Sequence, residues 1–265
     1  MHQHAAAARP IAYEIVAQDV AAVRLAAELG AVRVELCQAL SLGGLTPSAG
    51  LIEGAVEVAA EAATGTATEA SRAVEVHVLV RPRSGGFIYD ADEQRAMERD
   101  VRAAVRAGAD GVVVGSQLAS GLLDLQAISR LRDAAEGRAV SLHRVIDVTP
   151  DPVAALDALL ASGLGLARVL TSGGASRAVD GLATLREMVR VAAGRIEVMA
   201  GSGVSAATVA PVWATGVDAV HFSAKRDVVE RPLVSMGASD ADGVGGYEVT
   251  SAETAREIIS ALRAS

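Results

Sequence analysis

Residues 74–86 read VEVHVLVRPRSGG. Val74, Val76, Val78 and Val80 fall on every second position, the period of a β-strand. Between them stand Glu75, His77, Leu79 and Arg81, so the opposite face carries two charges and an imidazole. Pro82 and the Ser84-Gly85-Gly86 turn end the run. A strand with valine on one side and ionisable groups on the other fits a closed barrel. There, one face packs on outer helices and the other points inward.

Outward from this strand, short β-branched runs alternate with alanine-rich stretches of helical pattern. Strands are predicted at 11–17, 32–37, 74–81, 111–115, 139–146, 167–171, 196–200 and 219–223. Helices are predicted near 19–29, 48–62, 91–107, 124–135, 151–161, 176–192 and 205–214, with a last one near 251–263 after a glycine-rich loop. Asp19, Ser48, Asp151 and Ser205 stand as N-caps, and Gly30, Gly108, Gly163 and Gly216 stand where helices stop. Eight strands alternating with eight helices is the count of a (β/α)₈ TIM barrel. An open doubly wound sheet is disfavoured because the turn after strand one, IVAQDVAAV, has no glycine for a dinucleotide phosphate. The polar stretch 63–73 reads as a solvated connection, so one domain over 1–265 is expected, with a flexible N-terminus over 1–10.

Of the 265 residues, 51% are hydrophobic, enough for a large core. A net charge of −8 argues against a nucleic-acid partner, which needs a basic stripe. One cysteine excludes an intrachain disulfide and fits a reducing compartment. The opening MHQHAAAARP is too short and too weakly apolar for a signal segment, and no run approaches the roughly 20 apolar residues of a membrane span. A soluble cytoplasmic protein with no membrane partner is expected.

Strand parity gathers polar residues on the inward face. Glu14, Glu35, His77, Arg81, His143, Asp147, Glu197, His221 and Ser223 all fall there, from six strands. Burying an unpaired charge costs several kcal/mol, so the groups either neutralise one another, as Glu35 with Arg81, or await a ligand. Glycine-rich segments stand at the strand ends that carry barrel active sites: LGGLTPS (42–48), RPRSGG (81–86), TSGG (171–174) and AGSGV (200–204). Gly201 and Gly203 let the backbone approach an anion, and Arg81, Arg83 and Arg144 offer guanidinium forks for carboxylate or phosphate. Arg144 has outward parity and is alternatively a strand-end cap.

The segments RVELCQALSLGGLTPSAGLI, VHVLVRPRSGGFIY, SLHRVIDVTPDPVAALDALLASG, ARVLTSGG, VMAGSGV and VHFSAK, in this order, resemble the signature segments of the CutC copper-homeostasis family along essentially the whole chain. The resemblance implies a TIM barrel, dimeric or larger, cytoplasmic and linked by name to copper tolerance. It implies a polar barrel mouth at Glu35, His77, Arg81, Arg83, His143, Arg144, Asp147 and Ser172, with Gly201, Gly203, His221 and Ser223 beside them. Two positions depart from the family pattern: no cysteine follows strand one, and Gly86 stands where the family has an acidic residue.

The resemblance makes copper homeostasis, with copper-ion binding, the expected function, and metabolite catalysis is the alternative. A Cu(I)-binding protein would use Cys37, Met199 and one of His77, His143 or His221, since copper(I) prefers soft ligands. An enzyme on a small anionic metabolite would hold it with Arg81, Arg83 and the AGSGV segment. His143, with Asp147 or Glu35, would then move protons. A divalent-metal enzyme using imidazoles and Glu35 ranks last, because the arginines would repel a cation.

Overall fold

The computed structural model describes residues 10–64, 74–230 and 245–265. The expected flexible N-terminus and polar connection fall almost wholly outside them.

Eight strands close into one parallel barrel in sequence order: β1 (Tyr13–Ala17), β2 (Arg33–Leu36), β3 (Glu75–Leu79), β4 (Gly111–Val114), β5 (Ala139–Leu142), β6 (Arg168–Thr171), β7 (Glu197–Ala200) and β8 (Ala219–Phe222). The seam is β8 against β1, with Glu14 level with His221 and Ile15 with Phe222. Outside lie α1 (Val20–Leu29), α2 (Ala49–Thr64), α3 (Ala91–Arg106), α4 (Leu125–Ala134), α5 (Pro152–Ala161), α6 (Leu182–Ala192), α7 (Val209–Trp213) and α8 (Ala252–Arg263). The (β/α)₈ expectation therefore holds.

Local chemistry sets the helix ends. The Asp19 carboxylate accepts the Ala22 N–H, Asp151 accepts from Val153 and Ala154, and Ser251 accepts from Thr254. Asp90 and Glu93 close a capping box on α3. The main apolar core lies between strands and helices, where Ile15, Val34, Leu36, Val76, Val78, Leu142, Val198 and Val220 meet Met97, Ile128, Leu156, Leu185, Met188 and Ile258. That is the valine face of the opening stretch, and burying one such side chain contributes about 1.5–3 kcal/mol.

Four expectations change. The fifth strand stops at Leu142, because residues 144–148 wind into a 3-10 turn whose first N–H groups need a cap, and His143 supplies it. The sixth helix starts at Leu182, after a separate 3-10 turn over Ala178–Asp180, and the seventh shrinks to five residues that follow Thr208 with no side-chain cap, so Ser205 is not its N-cap. The loop before α8 contains an antiparallel hairpin, β9 (Lys225–Glu230) with β10 (Gly245–Thr250). Thr250 anchors it by donating to the Val16 carbonyl, and Gln18 donates to the Glu248 carbonyl.

Candidate functional site

The inward face is ionic at its lower end. Arg33 and Arg168 converge on the Glu197 carboxylate, at 3.1 and 2.8 Å. Arg168 also donates to Ser141 at 3.0 Å and meets His77 Nδ1 at 3.2 Å, while His77 Nε2 faces Glu75 at 3.3 Å. Gly111 makes room for that imidazole: a Cβ there would stand 2.5 Å from His77 Cε1. His77 thus belongs to a charge-neutralising network below the mouth and does not line the cavity above it.

That cavity, about 470 Å³, opens at the C-terminal ends of the strands. Its polar lining comprises Glu35, Arg81, His143, Arg144, Ser202, His221, Ser223 and Lys225, with the Gly43 and Gly203 backbones. Val16, Leu40, Leu79, Phe87, Leu170, Val204 and Phe222 make the apolar part. Of the residues expected on the inward face, Glu35, Arg81, His143, His221 and Ser223 line this cavity, from four strands and the residues just beyond them, whereas Glu14, His77, Asp147 and Glu197 do not.

At its floor three side chains stand in line. The buried Glu14 carboxylate accepts the Nδ1–H of His221 at 2.7 Å, and His221 Nε2 faces Glu35 at 3.8 Å. Burial pushes the Glu35 carboxyl up to about 7; the nearby charge of His221 opposes this and that of Glu14 adds to it. Burial would lower the His221 pKa, but the Glu14 hydrogen bond and the two carboxylate charges outweigh it and raise it. Burial likewise works against ionised Glu14, yet the His221 hydrogen bond and the charges of His221 and Arg33 carry its pKa below the ordinary range. The result is an oriented imidazole beside a carboxyl that titrates near neutrality.

His143 is a different kind of group. Its Nδ1 accepts the Val145 N–H at 3.1 Å, which leaves the proton on Nε2. Phe87 packs against the ring with centroids 4.7 Å apart, and the Arg81 guanidinium lies over Phe87 at 5.3 Å. Burial, joined by the Arg81 charge, lowers the His143 pKa to about 3. The ring is neutral at physiological pH, and the expectation that a carboxylate raises its pKa for proton transfer does not hold.

Asp147, expected beside His143, is engaged elsewhere. Its oxygens accept from Thr171 Oγ1 (2.6 Å), the N–H groups of Ser172 (2.9 Å) and Gly174 (3.0 Å), and Arg144 Nε (2.8 Å). Ser172 Oγ takes Arg144 Nη2 at 2.8 Å. Asp147 and Ser172 therefore clamp the loop after β6 and aim the Arg144 guanidinium at the mouth. Arg144 lies two residues beyond the strand, at the start of the 3-10 turn, so its outward strand parity no longer applies.

The remaining candidates are placed as follows. Arg81 donates to the carbonyls of Leu42, Gly44 and Gly85, fastening two loops together, and does not pair with Glu35. Arg83 pairs with Glu93 and lies over Tyr89, away from the cavity. Gly201 packs beneath the His221 ring: a Cβ there would meet its Cδ2 at 3.1 Å. Cys37 is a buried free thiol in an apolar cluster with Val16, Leu79 and Val113, and burial, followed by the Glu35 charge, pushes its pKa far up. Met199 sits in a separate cluster with Leu170 and Ala219. Among the described residues no group of three or more His, Cys, Asp and Glu side chains can hold a metal ion. Nor is any helix there long and apolar enough to cross a membrane.

Two interior arginines and an exposed lysine at the rim were not among the candidates singled out from the sequence. Arg33 shares the parity of Glu35, and Arg168 that of Leu170; tracking positive charge by parity on every strand would have found both. Lys225 follows the last barrel strand, where parity gives no signal.

Comparison with known proteins gives a consistent picture. The CutC family model matches residues 11–226. A CutC family protein from Agrobacterium fabrum is 43% identical over 195 residues, covering 74% of this chain and 71% of its own. One from Xanthomonas campestris pv. campestris is 38% identical over 256 residues, covering 94% and 98%. The crystal structure of a CutC from Streptococcus agalactiae, assigned by name to copper homeostasis, superposes with a TM-score of 0.71 at 31% identity, covering 80% of this chain and 98% of that one. A thiamine phosphate pyrophosphorylase from Pyrococcus furiosus shares the barrel alone, at a TM-score of 0.54 and 17% identity, covering 96% of each chain.

Proposed function

This chain belongs to the CutC family, and from that premise we propose that its barrel mouth is the active site of an enzyme acting on a small metabolite bearing a carboxylate or a phosphate. The observation that carries this reading is the Glu14–His221–Glu35 line at the cavity floor. A carboxyl held near 7 is divided between its two forms at neutral pH, where general acid–base catalysis is most effective. Glu35 accepts the proton, His221 supplies one, and Glu14 orients the ring and stabilises its charged form. Arg144, locked by Asp147 and Ser172, pairs with the anionic group of the substrate, and Ser202, Ser223 and Lys225 complete the rim.

Direct copper binding is the reading this geometry supports less. Cu(I) takes thiolate and thioether ligands, whereas the only thiol is held protonated in an apolar cluster and Met199 lies in another. Copper homeostasis, the role carried in the name of the streptococcal relative, is then an indirect consequence of metabolite turnover.

A thermal-shift survey of phosphorylated and carboxylated metabolites tests the proposal. Stabilisation by at least one anion, lost in Arg144→Ala but kept in Glu35→Gln, supports it, with conversion of that ligand abolished by Glu35→Gln. No stabilisation by any anion, together with a stoichiometric Cu(I) site removed by Cys37→Ser, overturns it.

A further inference from the structure

Resting on the enzyme reading above, we propose that the substrate carries a carbonyl group, that the Nε2–H of His143 donates to its oxygen, and that the reaction is proton transfer at the neighbouring carbon.

Both nitrogens of His143 have fixed roles. The Val145 N–H occupies the Nδ1 lone pair, so Nε2 carries the proton and can only donate. Such a ring is neither a general base nor a metal ligand. The Nε2 atom is buried and has no hydrogen-bond partner in the protein, although its residue lines the cavity. Buried polar groups are nearly always satisfied, so a donor left open at a ligand cavity marks a place for a ligand acceptor. The Nδ1–Cε1 edge is turned to Gly115, where a Cβ would stand 2.4 Å from Cε1, leaving the other side of the ring for the cavity, beneath Phe87. Because Nε2 is buried beneath Phe87, the proposal requires the half-buried Phe87 side chain to shift when the ligand enters.

The surroundings select the acceptor. Phe87 packs on the ring, so a neutral carbonyl oxygen enters at lower desolvation cost than a full anion, and the Nε2–H with the nearby Arg81 charge stabilises negative charge as it develops on that oxygen. The ring stays neutral because burial and the Arg81 charge oppose protonation, so the donor persists at any physiological pH. The anionic end of the substrate has its own partner in Arg144. Glu35 lines the same cavity as the proton acceptor.

The step balances without a co-reactant. The Glu35 carboxylate removes a proton from the carbon beside the carbonyl, and the C–H electron pair forms a carbon–carbon double bond. The carbonyl π pair moves onto oxygen, where the Nε2–H holds the enolate. Glu35 then returns the proton to the same carbon as the pair on oxygen re-forms the carbonyl, which restores the ketone and the starting enzyme.

The experiment compares dihydroxyacetone phosphate with glycerol 3-phosphate, which differ in the carbonyl, by calorimetry and by hydrogen–deuterium exchange in heavy water. The full chain is expected to bind the ketone at least tenfold more tightly and to exchange its carbon-bound hydrogens. His143→Ala removes the preference, and His143→Gln, whose amide N–H replaces Nε2–H, restores part of it. In the unaltered protein, the ketone alone shifts the His143 Nε2–H resonance downfield. Equal binding of the two ligands, or a preference that survives His143→Ala, overturns the carbonyl proposal and leaves the anion site standing. Binding of neither ligand, together with no stabilisation by any anion in the thermal-shift survey, overturns the enzyme reading as well.

Discussion

Glu14 accepts the Nδ1–H of His221 at 2.7 Å across the seam where β1 meets β8, the two residues standing level in the barrel register. Barrel closure alone brings them together, since they are 207 residues apart. The carboxylate fixes the ring so that Nε2 faces Glu35, and it raises the His221 pKa against the opposing effect of burial. Glu14→Gln is therefore expected to lower the His221 pKa and free the ring to rotate. A ¹⁵N titration of the imidazole checks this; an unshifted His221 would remove Glu14 from the account.

Glu35 makes stability depend on pH. Its folded-state pKa of about 7 lies above the ordinary 4.5, so folding favours the protonated form. That contribution is complete below pH 4.5 and is lost as pH rises through 7. Glu35→Gln mimics the protonated state and does not titrate. It is expected to match the wild type near pH 4.5 and to exceed it at pH 8 by on the order of 2–3 kcal/mol. Urea unfolding at the two pH values measures the difference.

His143 acts in the opposite direction. Its folded pKa of about 3 lies below the ordinary 6.5, so the stability it contributes is complete above 6.5 and is lost as pH falls towards 3. The ring is expected to show the neutral Nε2–H tautomer by ¹⁵N shifts at pH 5, where an exposed histidine is charged. Charging at pH 6 would contradict the donor role.

Asp147→Ala removes the acceptor of Thr171 Oγ1, of the Ser172 and Gly174 N–H groups and of Arg144 Nε, while Arg144 Nη2 keeps Ser172 Oγ. A loss of about 2 kcal/mol is expected, since the donors of Thr171 and Ser172 are buried and each orphaned buried donor costs on the order of 1 kcal/mol or more. Anion affinity should fall with it as Arg144 loses its aim. The pH dependence of any turnover should not move, because the Glu35–His221 pair is untouched.

Cys37→Ser should leave Cu(I) affinity unchanged and cost about 1 kcal/mol, as a hydroxyl enters an apolar cluster. Competition with a chromogenic Cu(I) chelator reads the first quantity directly.

The valine alternation of residues 74–80 and its repeats made the barrel legible, because strand period and burial are set locally. Parity also placed Glu14, Glu35, His77 and His221 inside. It could not separate the lower network from the mouth, since that depends on which residues stand level across strands, as Arg168 with Glu197 does. The roles of His143 and Asp147 were misread for a local reason: His-Arg-Val-Ile-Asp winds into a 3-10 turn instead of extending the strand, which pairs Asp147 with Arg144 and turns His143 into a backbone cap. The paired strands at 225–230 and 245–250 carry charges and glycines and little alternation, so nothing in their sequence announced them.

The account rests on one carboxyl whose proton is shared with a histidine under neutral conditions. Carbon-13 NMR of the Glu35 carboxyl across pH 3 to 9 reads it directly. A transition near pH 7, abolished in Glu35→Gln and moved when His221 is replaced by Asn, is predicted. A transition at the ordinary glutamate value, indifferent to His221, would contradict it.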